Sequence, residues 1–207
     1  MNQVAVFASA GLPAVGTLKS TLGNLKVDVG NAGTVILKMD KTGAWVYGAD
    51  QDEVEDGSEW AVNPFSFVHG YIAWGTAEVL GEKMTGVAQP LPELDEAPKG
   101  AQKGWEMQVG MSLKCIGGED KDMEVRYTTT SVGGKKAVQA IAAAIAEQVN
   151  KDESKPVPIV TLKKDHYQHK SYGKIYTPVL NVVRFVSMDT ETTEEAAPVA
   201  GRRRRAA

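Results

Sequence analysis

The pattern of hydrophobic and polar positions between residues 34 and 187 predicts mainly β-strands, several of which alternate as half-buried strands do. The alternation is clearest over residues 105–115. Two shorter runs rich in β-formers, 34–39 and 44–47, flank the turn-forming residues 40–43, Asp-Lys-Thr-Gly. These two runs predict an N-terminal hairpin.

An aromatic run over residues 60–74 alternates from Phe65 onwards, so Phe65, Phe67 and Tyr71 are predicted on one face of a strand. Both faces of this strand contain aromatic rings. One of the two faces is therefore expected to pack on something other than the core. The same criteria predict further strands over 76–84, 123–130, 158–162 and 172–186, with loops over 50–59 and 86–103.

One segment has helical periodicity. From Lys135 to Asn150, apolar residues such as Val138, Ile141 and Ile145 recur at spacings of three and four, which places them on one side of a helix. Ser131 precedes this segment and is predicted to cap the helix N-terminus.

A helix set between groups of strands is the arrangement of the OB fold, a small barrel whose face binds oligonucleotides. The element order predicts a mainly β protein with one long helix, built as an OB-like antiparallel barrel with an extra N-terminal hairpin. A β-sandwich with a packed helix is the alternative. Residues 1–187 are assigned to a single domain. Residues 188–207 are predicted to be a disordered tail that begins acidic and ends in four arginines.

Composition narrows the functional classes. The 207 residues are 43% hydrophobic and 24% charged, as in ordinary globular proteins. The single cysteine, Cys115, excludes an internal disulfide and leaves too few thiolates for a structural zinc site. No apolar run has the length of a membrane span, and the N-terminal residues lack the basic region of a signal peptide. These features predict a cytoplasmic protein without membrane association, and no cofactor is expected.

The formal net charge of −3 conceals an uneven distribution. Residues 1–100 contain 6 basic and 13 acidic residues, whereas residues 101–207 contain 17 and 13. Within residues 155–186, six basic side chains face a single acid, Asp165. A polyanion is attracted by such a local field more than by the average charge, so nucleic acid is a candidate partner.

The basic region also contains many aromatic residues. Residues 163–178 include four lysines, two histidines and three tyrosines. Lysines follow a phosphate backbone and flat rings stack on unpaired bases, which is the combination used for binding single strands. A strand pair in which Tyr and Lys alternate with core residues is the structural alternative. The predicted nucleic-acid-binding residues are Lys163, Lys164, His166, Tyr167, His169, Lys170, Tyr172, Lys174, Tyr176, Arg126, Arg184, Phe65, Phe67 and Tyr71.

Enzymatic motifs are absent from the sequence. Neither G-x-S-x-G nor H-E-x-x-H occurs, and Cys115 is predicted to be buried in a strand. The group Asp165, His166 and His169 has ligand types that suit zinc, but no second ligand pair is recognisable nearby. We therefore predict no catalytic residue and no metal site, and keep a metal-dependent nuclease as an alternative.

Three groups of residues resemble small replication-region proteins of tailed bacteriophages, some of which are OB-type single-stranded DNA-binding proteins. The groups are Trp60-x-Val62-Asn63-Pro64-x-Ser66-Phe67-x-His69-Gly70, Ser131-x-Gly133-Gly134, and Tyr167-x-His169-x-x-Tyr172-Gly173-x-Ile175-x-Thr177-Pro178. The resemblance covers roughly residues 33–187.

The resemblance implies a protein of the host cytoplasm that coats or transfers single-stranded DNA. An acidic C-terminal tail recruits replication or recombination proteins in many single-strand binders, although this tail departs from that pattern because it ends in Arg202–Arg205. A phage structural or decoration protein is the alternative from another functional class.

Overall fold

A computed structural model describes residues 35–188, which lie in one compact unit. The elements in chain order are β1 (Val35–Met39), β2 (Trp45–Tyr47), β3 (Asp52–Glu53), β4 (Glu59–Val62), β5 (Val68–Trp74), β6 (Val79–Gly86), β7 (Glu106–Gly117), β8 (Glu124–Thr129), α1 (Val132–Lys151), β9 (Val157–His169) and β10 (Gly173–Val186). The predicted C-terminal tail beyond Met188 and the N-terminal part of the predicted domain lie outside the described residues.

The strands form one curled sheet in the order β10-β9-β4-β7-β8-β1-β2-β3, and β5 and β6 extend it beside β7. All strand pairs are antiparallel except β1 with β8. The sheet is a half-barrel, and the prediction of a mainly β, OB-like protein with one long helix and an extra N-terminal hairpin is confirmed. The two predicted hairpin strands correspond to β1 and β2.

The hydrophobic core lies between the sheet and α1. Trp60, Leu37 and Met111 are completely buried, and Val138 and Ile141 of the helix join the same cluster. Burying each side chain of this size contributes about 1.5–3 kcal/mol. Ser131 caps the helix as predicted, because its Oγ accepts a hydrogen bond from the Gly134 N–H at 3.0 Å. Within residues 35–188, no helix is both long and apolar enough to cross a membrane.

The aromatic strand predicted from Phe65 onwards begins later in the structure. Residues 60–62 belong to β4, and β5 begins only at Val68. A turn separates the two strands, in which the Asn63 side chain accepts a hydrogen bond from the Phe65 N–H at 2.9 Å. The alternation therefore does not run through residues 63–67, and Phe65 and Phe67 do not share a strand face with Tyr71.

The longest strands, β9 and β10, form a hairpin that is paired from Val157 with Val186 to His169 with Gly173. On its other edge, β9 pairs with β4 only over residues 159–161. The last core pair along the hairpin is Leu162 with Leu180. The hairpin therefore extends past the core, and the extension coincides with the basic and aromatic stretch of the sequence.

Candidate nucleic-acid interface

The part of the hairpin beyond the core, residues 163–176, is called the distal hairpin below. Because side chains alternate across a strand, it has two faces. One continues the side of Leu162 and Leu180 and is called the core-side face; the other is called the outer face. On the core-side face, His166 lies opposite Tyr176 and Gln168 lies opposite Lys174.

Tyr176 is the centre of the core-side face. The Nζ atoms of Lys164 and Lys174 lie 5.3 Å and 4.8 Å from the centroid of its ring, and the His166 ring lies 6.0 Å away. These are cation–π contacts, in which the electron-rich face of the ring attracts the positively charged ammonium group. The arrangement holds two lysine charges next to each other on one face of the hairpin.

The β1–β2 turn supports Tyr176 from the body of the protein. Gly43 in that turn has φ +82°, and a Cβ atom added there would lie 2.6 Å from the tyrosine ring. Glycine is therefore required for two reasons: other residues are strained at this φ, and their Cβ atom would collide with the Tyr176 ring. Since the ring is half-buried and already contacts Gly43 and two lysines, Tyr176 is less accessible to a base than Tyr167 and Tyr172 are.

The outer face presents rings to solvent. Tyr167, opposite Ile175, is 50% exposed. Tyr172 in the turn is 78% exposed and stacks on His169, with ring centroids 4.8 Å apart. Lys170 lies in the same turn and is exposed. Exposed rings beside lysines are the arrangement that binds unstacked bases together with their phosphates.

Lys163 is also on the outer face, but its charge is already compensated. Its Nζ lies 2.9 Å from the Asp56 carboxylate, and the hydrogen bond from Lys163 lowers the pKa of Asp56. The Trp45 indole N–H donates to the Lys163 carbonyl at 2.8 Å, which fastens this part of β9 to β2. A cleft of about 500 Å³ lies between these elements and contains Glu53 and Glu55 as well.

Arg184 occupies the opposite end of β10 and is paired in the same way. Its two terminal nitrogens donate to the two Glu59 carboxylate oxygens at 2.6 Å and 2.7 Å. This bidentate contact lowers the pKa of Glu59 and raises the pKa of Arg184. The prediction that Arg184 contacts phosphate is therefore not supported, because its guanidinium is engaged and lies away from the distal hairpin.

Arg126 is also separated from the distal hairpin. It is on β8, and β4 and β7 lie between β8 and β9 in the sheet. Its neighbours on the strand, Val125 and Tyr127, point into the core, so Arg126 is on the opposite side of the sheet. The structure does not bring it together with the other predicted cations.

The three aromatic residues predicted to bind nucleic acid from the 60–74 run, Phe65, Phe67 and Tyr71, lie at the other end of the sheet. Strand β4 is antiparallel to β9, so the chain moves away from the distal hairpin as it continues to Phe65 and β5. Phe65 is 80% exposed, whereas Phe67 is 6% exposed and belongs to the core cluster. The prediction that Phe67 stacks on bases is wrong, since a buried ring has no face to offer.

Tyr71 is half-buried on β5 at this same end. A loop over residues 87–105 lies along its strand face, where Lys83 pairs with Asp95 and the His69 ring contacts the Gln89 carbonyl at 2.9 Å. Phe65 and Tyr71 therefore do not extend the surface formed by the distal hairpin.

The residues weighed as metal ligands are not brought together. Asp165 and His169 share the outer face, while His166 is on the core-side face. Nowhere in residues 35–188 do three or more His, Cys, Asp or Glu side chains form a group that would hold a metal ion. The geometry does not favour the nuclease alternative.

Three residues that shape this surface were missed at the sequence level: Gly43, Asp56 and Glu59. Gly43 belongs to the predicted turn over residues 40–43, but its contact with Tyr176 is not visible in the sequence. For Asp56 and Glu59 the available signal was the run of acids over residues 50–59 with no base among them. It was interpreted as a solvated loop, but it contains β3, and its last residues supply the partners of Lys163 and Arg184.

Comparison with protein-family models, with curated proteins and with solved structures finds no match to this chain. The resemblance to phage replication proteins therefore stays a prediction.

Proposed function

We propose that this chain is a non-enzymatic protein that binds single-stranded DNA and that the distal hairpin is its binding surface. One observation supports this most directly. Lys164, Lys170 and Lys174 make no ion pair with any residue between 35 and 188. Lys170 lies in the same turn as the exposed ring of Tyr172, Lys164 and Lys174 lie on the core-side face of the same hairpin, and the exposed ring of Tyr167 is on its outer face.

The two types of side chain have complementary roles. A lysine that contacts phosphate releases a counterion, so affinity falls as salt rises, with a slope of about 0.7 for each single-strand contact. A base stacked on a tyrosine contributes about 1–3 kcal/mol and is largely independent of sequence. The surface is therefore expected to bind single strands without marked sequence preference.

Single strands are favoured over duplex because the rings need unpaired bases to stack on. The resemblance to phage proteins adds the setting: DNA replication or recombination in the cytoplasm of a host, with replication or recombination proteins as partners of the C-terminal tail. This setting rests on the resemblance alone.

The direct test is fluorescence anisotropy with labelled oligo-dT across a salt series. Wild type is expected to bind with an affinity that falls steeply with salt. A variant with Lys164→Gln, Lys170→Gln and Lys174→Gln should lose at least ten-fold in affinity, and its salt slope should decrease by about 2.

A matched control replaces three lysines elsewhere on the surface, Lys99, Lys121 and Lys136, which are exposed and outside any ion pair of the described fold. Its affinity should stay within two-fold of wild type. Equal losses in both triple variants would show that general charge, and not the distal hairpin, attracts DNA.

The same assay separates the alternatives. An oligonucleotide that is bound but stays intact when Mg²⁺ or Mn²⁺ is supplied contradicts a metal-dependent nuclease, whereas cleavage that EDTA abolishes would support it. Absence of binding at low salt contradicts the proposal and favours a structural or decoration protein. Tighter binding of oligo-rU than of oligo-dT would identify RNA as the ligand.

A further inference from the structure

The end of the hairpin, residues 167–175, is called the hairpin tip, and it contains a tyrosine in a fixed position. The Nδ1 atom of His169 accepts hydrogen bonds from the backbone N–H groups of Ser171 and Tyr172 at 3.1 Å and 3.2 Å. Gly173 closes the turn with φ +72°, a conformation that glycine adopts without strain. The His169 side chain, at the end of β9, thus stabilises the turn that follows it.

The same histidine supports the Tyr172 ring. The two rings stack with an interplanar angle of 28°, and Tyr172 is 78% exposed. One side of the tyrosine therefore rests on an imidazole while most of the residue faces solvent. A ring that is ordered before binding loses little conformational freedom when it meets a base.

The hairpin tip projects from the body of the protein. The last contact with another element is that of Tyr176 with Gly43. Beyond it, no hydrogen bond, ion pair or ring contact joins residues 167–175 to another element of the described fold. Two rises of about 3.3 Å separate Tyr167 from His169, the last paired residue of β9, so the turn begins about 7 Å beyond Tyr167. This distance is about two nucleotide steps of a duplex strand.

The hairpin tip is also positively charged. Lys170 and Lys174 are exposed within it, and residues 167–175 contain no acid. At a junction between single-stranded and double-stranded DNA, phosphates from both strands converge. Two cations beside a projecting ring match that charge distribution.

We propose that Tyr172 acts as a wedge at the junction between a single strand and a duplex, stacking on the terminal base pair while the rest of the distal hairpin holds the single strand. This inference rests on the proposed function and adds a preference for junctions. Apolar or aromatic side chains inserted at base steps are a general means of unstacking them.

The test compares a duplex that has a single-stranded dT tail with oligo-dT of the same tail length. Wild type should bind the tailed duplex at least five-fold more tightly. With 2-aminopurine at the first unpaired position, binding should raise the fluorescence, because the Tyr172 ring separates this base from the terminal base pair on which it was stacked.

Tyr172→Ala should reduce the ratio of the two affinities to about one and abolish the fluorescence increase. Tyr167→Ala is the matched control, because it removes an exposed ring about 7 Å behind the start of the turn. It should weaken binding to both DNAs while leaving their ratio and the 2-aminopurine signal unchanged. Thermal melting checks that both variants are folded, as expected for exposed side chains.

Equal affinities of wild type for the two DNAs would overturn the wedge and leave the proposed function intact, because oligo-dT would still bind. Loss of the ratio in Tyr167→Ala as well would also overturn it, since the effect would then not belong to the hairpin tip. Failure of wild type to bind either DNA would overturn both proposals.

Discussion

The two ends of the β9–β10 hairpin contain the same kinds of basic side chain in different surroundings. Lys163, where the distal hairpin begins, lies against Asp56, and Arg184, at the core end of β10, lies against Glu59. Towards the turn, Lys164 and Lys174 lie against the Tyr176 ring instead. A cation over a ring keeps its charge available to an incoming anion, whereas a cation in an ion pair does not. The location of the acids therefore decides which part of the hairpin is able to bind a polyanion.

The largest effect is expected from the rings of the distal hairpin. Each stacked base contributes about 1–3 kcal/mol, so the double variant Tyr167→Ala, Tyr172→Ala should lose at least ten-fold in affinity for oligo-dT. The matched control, Phe65→Ala with Tyr71→Ala, removes two rings from the other end of the sheet and should change affinity less than two-fold. A larger loss in the control than in the double variant would reverse the assignment of the two ends. Anisotropy titrations at fixed salt measure both.

A smaller effect, a gain in affinity for DNA, is expected when the ion pair between Lys163 and Asp56 is broken. Asp56→Asn removes the acid that compensates Lys163, and this should raise affinity about two- to five-fold and increase the salt slope by about 0.7. Asp50→Asn removes an equal charge from the same acidic segment but breaks no ion pair of the described fold. If both variants gain equally, long-range charge explains the effect and the Lys163 pair does not.

The smallest expected effect is on the free energy of unfolding, when the Glu59–Arg184 ion pair is removed. The Glu59–Arg184 pair is partly exposed, with side chains 31% and 45% accessible, so solvent screening limits its contribution to about 0.5–1 kcal/mol. Arg184 lowers the pKa of Glu59 in the folded protein. The contribution is therefore present above the ordinary glutamate pKa and is lost as the pH falls through the lowered value.

Denaturant unfolding of wild type and Glu59→Gln should show a difference at pH 7 that shrinks below about pH 4. Glu96→Gln, at an exposed acid outside any ion pair of the described fold, should show no difference at pH 7. A Glu59→Gln difference that stayed constant with pH would mean that packing and not charge stabilises this contact.

Much of the fold follows from local patterns in the sequence. The turn residues 40–43, the clean alternation over 105–115 and the apolar stripe of Val138, Ile141 and Ile145 each depend only on neighbouring residues, and β1, β2, β7 and α1 are found where these patterns place them. The strand predicted from Phe65 begins only at Val68, because the turn at Asn63 and Pro64 continues past Phe65: the Asn63 side chain accepts from the Phe65 N–H and its carbonyl accepts from the Ser66 N–H.

The candidate site was only partly predictable. The composition of residues 163–176 identifies a basic and aromatic surface, but the pairing of Lys163 with Asp56 joins residues 107 positions apart. Whether a given cation is paired depends on strand order, which one sequence does not reveal. Which aromatic side chains are buried also depends on how the strands pack, which one sequence does not reveal. Trp45 and Trp60 are buried as expected of large rings, whereas Trp74 is 42% exposed, contrary to that expectation.

Photochemical cross-linking tests the central claim most directly. An oligonucleotide containing 5-iododeoxyuridine, bound to wild type and irradiated, should form adducts that peptide mapping places within residues 163–176, at the exposed rings of Tyr167 and Tyr172. Adducts at Phe65, Tyr71 or Trp74 in place of the distal hairpin would contradict the account.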